Sequence, residues 1–176
     1  MIRKYDVPLS GGFVLMDAEF ITSFVDVTLN VLGTMARVEA KPGRPAVKDG
    51  NRLIGDVTGI IGLAGQKVSG YFGLSFSERC IKRVVSAMLG EVVNDLDQDV
   101  SDAVGELTNM ITGGVKAQLD QKGYSFQMAI PTVITGKGHV LNHLTDQPVI
   151  LIPFETETGP FFVEICLREV SRDEKD

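Results

Sequence analysis

The stretch Asp99 to Asp120, DVSDAVGELTNMITGGVKAQLD, sets a carboxylate and a carboxamide three residues apart, at Glu106 and Asn109. The two groups have complementary chemistry. A carboxylate pairs with a cation or takes up a proton. A carboxamide accepts one hydrogen bond and donates another without having to titrate. Whether they act together depends on the element that carries them.

The spacing predicts a helix. At about 100° per residue, Val100, Val104, Leu107, Ile111, Val115 and Leu119 gather on one side and must face a core. Asp102, Glu106, Asn109, Gly113 and Lys116 gather opposite, so Glu106 and Asn109 fall one turn apart on the solvent face. Polar residues opposite an apolar stripe are ordinary, and Glu-x-x-Asn arises often by chance. Two features set this face apart from an ordinary solvated one. Asparagine is a mediocre helix former, and each of Gly113 and Gly114 costs on the order of 1 kcal/mol relative to alanine in a helix interior. Gly113 shares the outward face, where a missing side chain admits another chain closely. The face is shaped to dock something.

The pattern Asp102-x-x-x-Glu106-x-x-Asn109, followed in the next strand by Pro131, resembles the signature of the CheC/CheX/FliY family of chemotaxis phosphatases. So do the leading FVDVTLNVLGTM helix and the hairpin running into GYFGLSFS, and the likeness extends over residues 17–170, closest to the CheX branch. It implies a CheC-like fold and hydrolysis of the aspartyl phosphate on a CheY-like receiver domain. Asn109 would then position the attacking water, and Glu106 would pair with a receiver cation. Asp102, Gly113 and Lys116 would belong to the binding surface, and Pro131 would shape its strand. A solvent-exposed carboxylate is a weak general base, so that role for Glu106 ranks second. Mg2+ is expected on the receiver, with no cofactor in this chain. A homodimer is expected too. A non-catalytic module that binds a receiver or signalling partner is the alternative. The first helix has Glu19, Asp26 and Asn30 but no Glu-x-x-Asn, so one site per chain is expected.

The elements that must hold this helix are legible in outline. Asp17 reads as the N-cap of an amphipathic helix that buries Phe20, Ile21, Phe24, Val27, Val31, Leu32 and Met35. A Pro- and Gly-marked loop spans 41–51. Strands follow at 53–63 and 68–76, joined by a turn at AGQK. Ser77 reads as the N-cap of a helix burying Ile81, Val84, Val85, Met88, Leu89 and Val92. After the helix of the opening stretch, with Gly123 as its C-cap, come strands at 125–135, 148–156 and 161–170. The fold class is α/β mixed (α+β-like): long helices packed on a mixed, largely antiparallel sheet. Each half holds a long helix followed by strands, so an internal pseudo-two-fold is expected. Residues 1–16 read as a leader, 17–170 as one domain and 171–176 as a charged tail. The strands at 148–156 and 161–170 are candidates for edge-to-edge pairing in a dimer.

Composition excludes several functions. A net charge of −6, without a Lys/Arg stripe, argues against nucleic acid. No apolar run is long enough for a bilayer, and the N-terminus lacks a signal-peptide pattern, so a cytoplasmic protein without membrane contact is expected. Cys80 and Cys166, each in an apolar pattern, read as reduced core thiols. His139 and His143 lie in a Gly- and Pro-bounded segment without helical period and do not read as metal ligands. The glycines at 59, 62, 65, 70 and 73 do not match a nucleotide-binding fingerprint; they suit close backbone approach in a hairpin.

Overall fold

The computed structural model describes residues 18–142 and 147–169. The expected leader, the N-cap Asp17, His143 and the tail lie outside the described residues, so the expected domain limits do as well. The elements run α1 (Ala18–Ala36), β1 (Lys41–Pro42), β2 (Ala46–Val47), β3 (Val57–Ala64), β4 (Val68–Phe76), α2 (Glu78–Leu89), α3 (Gln98–Asp120), β5 (Gln127–Met128), β6 (Thr132–Thr135), β7 (Ile150–Thr156) and β8 (Gly159–Glu169).

All the strands join one eight-stranded sheet in the order β1-β7-β8-β4-β3-β5, with β2 also on β7 and β6 also on β3. Every pairing among these strands is antiparallel. The order reads alike from both ends. Each rim carries two short strands (β1/β2 or β5/β6), then a long strand (β7 or β3), then a central one (β8 or β4). Each half begins with its long helix, α1 or α3. This is the internal pseudo-two-fold expected from the sequence.

One face of the sheet builds the core. Phe72, Leu74 and Phe76 of β4 meet Phe161, Val163 and Ile165 of β8 and the apolar stripes of all three helices. Phe161 stacks on Phe154, ring centroids 4.6 Å apart, and meets Phe76 at a tilt, centroids 5.4 Å apart. Cys80 and Cys166 are free and buried, as expected. Burial raises the Cys80 pKa above its ordinary value, which keeps the thiol protonated and inert.

At one rim the segment from Lys41 to Val47 pairs along the outer side of β7. There the Lys48 backbone N–H donates to the Val149 carbonyl at 2.8 Å. The Lys48 side chain crosses to Glu164 of β8, Nζ to Oε1 2.7 Å, with the two side chains only 2% and 1% exposed. The Tyr71 hydroxyl donates to the other carboxylate oxygen at 3.4 Å. Burial foremost, then the charge of Glu164, raises the Tyr71 pKa and keeps that hydroxyl protonated.

Several expectations need correction. The strand expected at 53–63 is β3 and starts only at Val57; Asp56 just before it does other work, its Oδ2 accepting from the Glu78 backbone N–H at 2.7 Å and capping α2. Ser77 stands at the N-cap position, but its side chain makes no capping bond; its hydroxyl donates to the Pro160 carbonyl instead. Helix α2 stops at Gly90, which takes a left-handed φ of 75°, so Leu89 and Val92 are exposed rather than buried. Met35 is exposed too, while Ala36 turns inward at the end of α1. The strand expected at 125–135 is two strands with a break between them. Neither β7 nor β8 is a free rim: β8 lies between β7 and β4, and β1 and β2 occupy the outer side of β7. The edge-to-edge route to a dimer is therefore closed along these two strands.

The paired glycines of α3 play different parts. A Cβ on Gly114 would lie 2.7 Å from Val27 Cγ1 of α1, so Gly114 sets how closely the two long helices approach. A Cβ on Gly113 would meet nothing within 4 Å. Gly113→Ala is expected to raise stability by about 0.5–1 kcal/mol through helix propensity. Gly114→Ala is expected to lower it by about 1–3 kcal/mol through overpacking. Paired urea melts measure both signs. In the same assay Lys48→Ala should lose about 3–5 kcal/mol by stranding a buried carboxylate, whereas Lys48→Met with Glu164→Leu should be close to neutral.

Candidate functional site

Helix α3 is oriented by what it buries. Val100, Val104, Leu107, Ile111, Val115 and Leu119 are each at most 1% exposed. At roughly 1.5–3 kcal/mol per side chain, this stripe outweighs the glycine and asparagine penalties and fixes the rotation of the helix. Buried Thr108 and Thr112 return their hydroxyls to the carbonyls of Val104 and Thr108, both at 2.7 Å, so no polar atom is stranded on that side. Gly59 of β3 completes the seat. A Cβ there would fall 2.1 Å from Thr108 Oγ1 and 3.1 Å from Val104 Cγ1, so only glycine lets α3 lie this close to the strand.

The ends of the helix are set locally. Asp97 caps the start: its carboxylate accepts from the Val100 N–H at 3.2 Å. At the other end, Tyr124 N–H bonds the Leu119 carbonyl and Gly123 N–H bonds that of Asp120. Gly123 has a φ of 83°, which makes this a Schellman turn around the expected glycine.

With the stripe pinned, Asp102, Glu106 and Asn109 are exposed on the outward face. They line an open groove of about 470 Å³ together with Ser101, Gly105, Ala129, Ile130, Pro131 and Val133. Asp102 Oδ1 accepts from the Gln98 side chain at 2.7 Å. Gly113 and Lys116 lie further along the helix and do not line the groove. Lys116 is engaged locally: Nζ bonds Asp120 Oδ2 at 2.6 Å and sits 5.8 Å from the centre of the Phe126 ring. That hydrogen bond from Lys116 leads the causes that lower the Asp120 pKa.

The far wall of the groove is where sequence reasoning missed residues. Ala129, Ile130 and Val133 carried no motif, and a continuous strand through them was expected. Pro131 was the available signal: without an N–H it cannot extend a ladder, so a break beside it was foreseeable.

The pseudo-two-fold supplies an internal comparison. Matching buried Thr28 of α1 to buried Thr108 of α3 puts Asp26 and Leu29 where α3 has Glu106 and Asn109. Gly33 then falls on Gly113, and a Cβ at either would meet open space. At these matched positions α1 thus offers a carboxylate without a carboxamide, and its Asn30 falls one residue out of register. A larger groove, about 960 Å³, lies beside it, with Leu29, Gly33 and Arg37 in its wall. It lacks the pair. Elsewhere, His139 Nε2 contacts the Thr135 carbonyl at 3.2 Å in an exposed position, and no group of three or more His, Cys, Asp or Glu among the described residues could hold a metal ion. No described helix is long and apolar enough to cross a membrane.

Comparison with known proteins gives this geometry a family. The model described as "Chemotaxis phosphatase CheX" matches residues 57–155. The Thermotoga maritima protein named CheY-P phosphatase CheX is 29% identical over 123 residues, 69% of this chain and 79% of that protein. The crystal structure of a CheC-like superfamily protein from Shewanella sp. PV-4 is similar with a TM-score of 0.81 and 45% identity, covering 87% of this chain and 99% of that one. A chain in the CheX-CheY-BeF3-Mg2+ complex from Borrelia burgdorferi matches with a TM-score of 0.74 and 27% identity, covering 85% and 98%. With more than half its length matched by the family model, the chain belongs to the CheX family of chemotaxis phosphatases.

Proposed function

We propose that this chain hydrolyses the aspartyl phosphate of a CheY-type receiver domain, and that the outward face of α3 performs the reaction. The observation that carries the reading is the exposed Glu106–Asn109 pair, one turn apart and open to an incoming protein. The relative named CheY-P phosphatase CheX and the CheX-CheY-BeF3-Mg2+ complex give the substrate class.

An acyl phosphate is already activated, and phosphoryl transfer passes through a loose transition state. Positioning and electrostatics therefore supply most of the acceleration. Asn109 accepts a hydrogen bond from the attacking water and holds it in line with the scissile P–O bond. Glu106 pairs with a receiver cation and sets the register of the inserted helix. Asp102 supports the docking surface, and Gly113 leaves room where α3 passes the partner's backbone. Lys116 belongs to the same face but serves at its margin, since Asp120 already engages it. The Mg2+ that neutralises the phosphoryl oxygens sits on the receiver, so this chain supplies residues and no metal. The homodimer expected from the family resemblance is part of this reading, and size exclusion with light scattering should report twice the chain mass.

The test is loss of phosphate from a phosphorylated CheY receiver. Wild type should accelerate it, and Asn109→Ala should remove at least about 100-fold of that acceleration if positioning is its contribution. Glu106→Gln should act mainly by weakening binding. Receiver binding with unchanged phosphate lifetime would instead support the non-catalytic module.

A further inference from the structure

The geometry points to Ile130 as a docking residue for the receiver, an apolar anchor that seats in a hydrophobic patch bordering the receiver's phosphorylation pocket; this rests on the function proposed above. Ile130 is 89% exposed, more than any other large hydrophobic among the described residues. A single exposed apolar side chain is ordinary on a protein surface. Two independent facts set this one apart.

The first is how the backbone presents it. Leu63 of β3 pairs with Met128, and Ile60 pairs with Thr132. Between those pairs, Ile61 and Gly62 face three residues, Ala129, Ile130 and Pro131. The extra residue makes a bulge, and bulges re-aim side chains at sheet edges. By strand alternation Ile130 would fall on the same face as Phe126, which is buried, and Met128, which packs against the core. The bulge turns it to solvent instead. The bulge is also anchored. Ala129 N–H donates to the Gly62 carbonyl at 2.9 Å, the Thr132–Ile60 pair closes the other side, and the ring of Pro131 fixes the backbone between them. An apolar side chain on a fixed backbone loses little freedom on binding.

The second is where it stands. Ile130 lines the groove that holds Glu106 and Asn109. The other exposed large hydrophobics, Met35, Val47, Leu89, Val92 and Val140, do not. A receiver that brings its phosphoryl group to Asn109 must cover Ile130 as it arrives. The chemistry then divides. Polar groups on α3 act on the reacting atoms, and the bulge opposite supplies affinity and a register for the helix. The residue matched to an isoleucine is an apolar surface on the receiver, so receivers with a charged rim at that place are disfavoured.

A docking role and a catalytic role separate kinetically, because uniform binding appears in KM and transition-state contacts appear in kcat. The experiment compares wild type, Ile130→Ala, Ile130→Asp and Asn109→Ala. It measures phosphate loss from a CheY receiver, and affinity for that receiver loaded with Mg2+ and beryllofluoride. Ile130→Ala is expected to raise KM and Kd roughly tenfold, with kcat within about twofold of wild type. Ile130→Asp should raise them further. Asn109→Ala should lose kcat and keep Kd. Thermal melts should be unmoved by the Ile130 variants, since the side chain packs on nothing that folding buries. Unchanged KM and Kd in both Ile130 variants, with active wild type, overturns the anchor and leaves the proposed function standing. Wild type that neither binds nor accelerates overturns both. A change in oligomeric state with Kd unchanged assigns Ile130 to a contact between copies and also overturns the docking role.

Discussion

The close seating of α3 on β3 is the constraint on which the rest depends. Gly59 removes the one Cβ that would strike Thr108 and Val104, and Gly114 removes the one that would strike Val27 of α1. The helix is thereby gripped from two sides while its apolar stripe is fully buried. A helix held in this way has no rotational freedom left. Whatever stands opposite the stripe is presented to solvent at a fixed angle, and opposite the stripe stand Asp102, Glu106 and Asn109. Small residues and buried β-branched or aliphatic side chains thus decide where these three polar groups point.

The same logic accounts for the asymmetry of a nearly symmetric fold. The sheet order mirrors itself, and α1 and α3 occupy equivalent places in the two halves. Both helices bury a threonine and follow it with a glycine that faces open space. Yet α1 carries Leu29 where α3 carries Asn109. A leucine cannot accept a hydrogen bond from water, so the two halves of the scaffold differ at the position to which the proposed chemistry is assigned. Thr28 even leaves its buried hydroxyl without a partner in α1, whereas Thr108 bonds the carbonyl of Val104.

The parts legible in the sequence were those governed by local period. The 3.6-residue repeat of α3 placed Glu106 and Asn109 outside, and the strict alternation of 68–76 marked β4 to the residue. The parts that were not legible depend on partners distant in the chain. Asp56 caps α2 from across a hairpin, so Ser77 looked like the cap and was not. Leu89 and Val92 continued an apolar pattern past Gly90, where the left-handed turn ends the helix. The bulge at Ile130 follows from the register of β5 and β6 on a third strand, which no window of sequence around Ile130 contains. Half of the groove, the α3 half, could therefore be read in advance. The other half required the sheet.

In the proposed complex the outward face of α3 enters the receiver's phosphorylation pocket with Asn109 nearest the reacting phosphorus. The most direct measurement is a crystal structure of this protein bound to a CheY receiver carrying Mg2+ and beryllofluoride. The Asn109 carboxamide is expected to face the beryllofluoride from the side opposite the aspartyl bond, within hydrogen-bond reach of a water there, with Glu106 beside a receiver cation. A receiver bound at the groove beside α1, or anywhere that leaves Asn109 in open solvent, would contradict it.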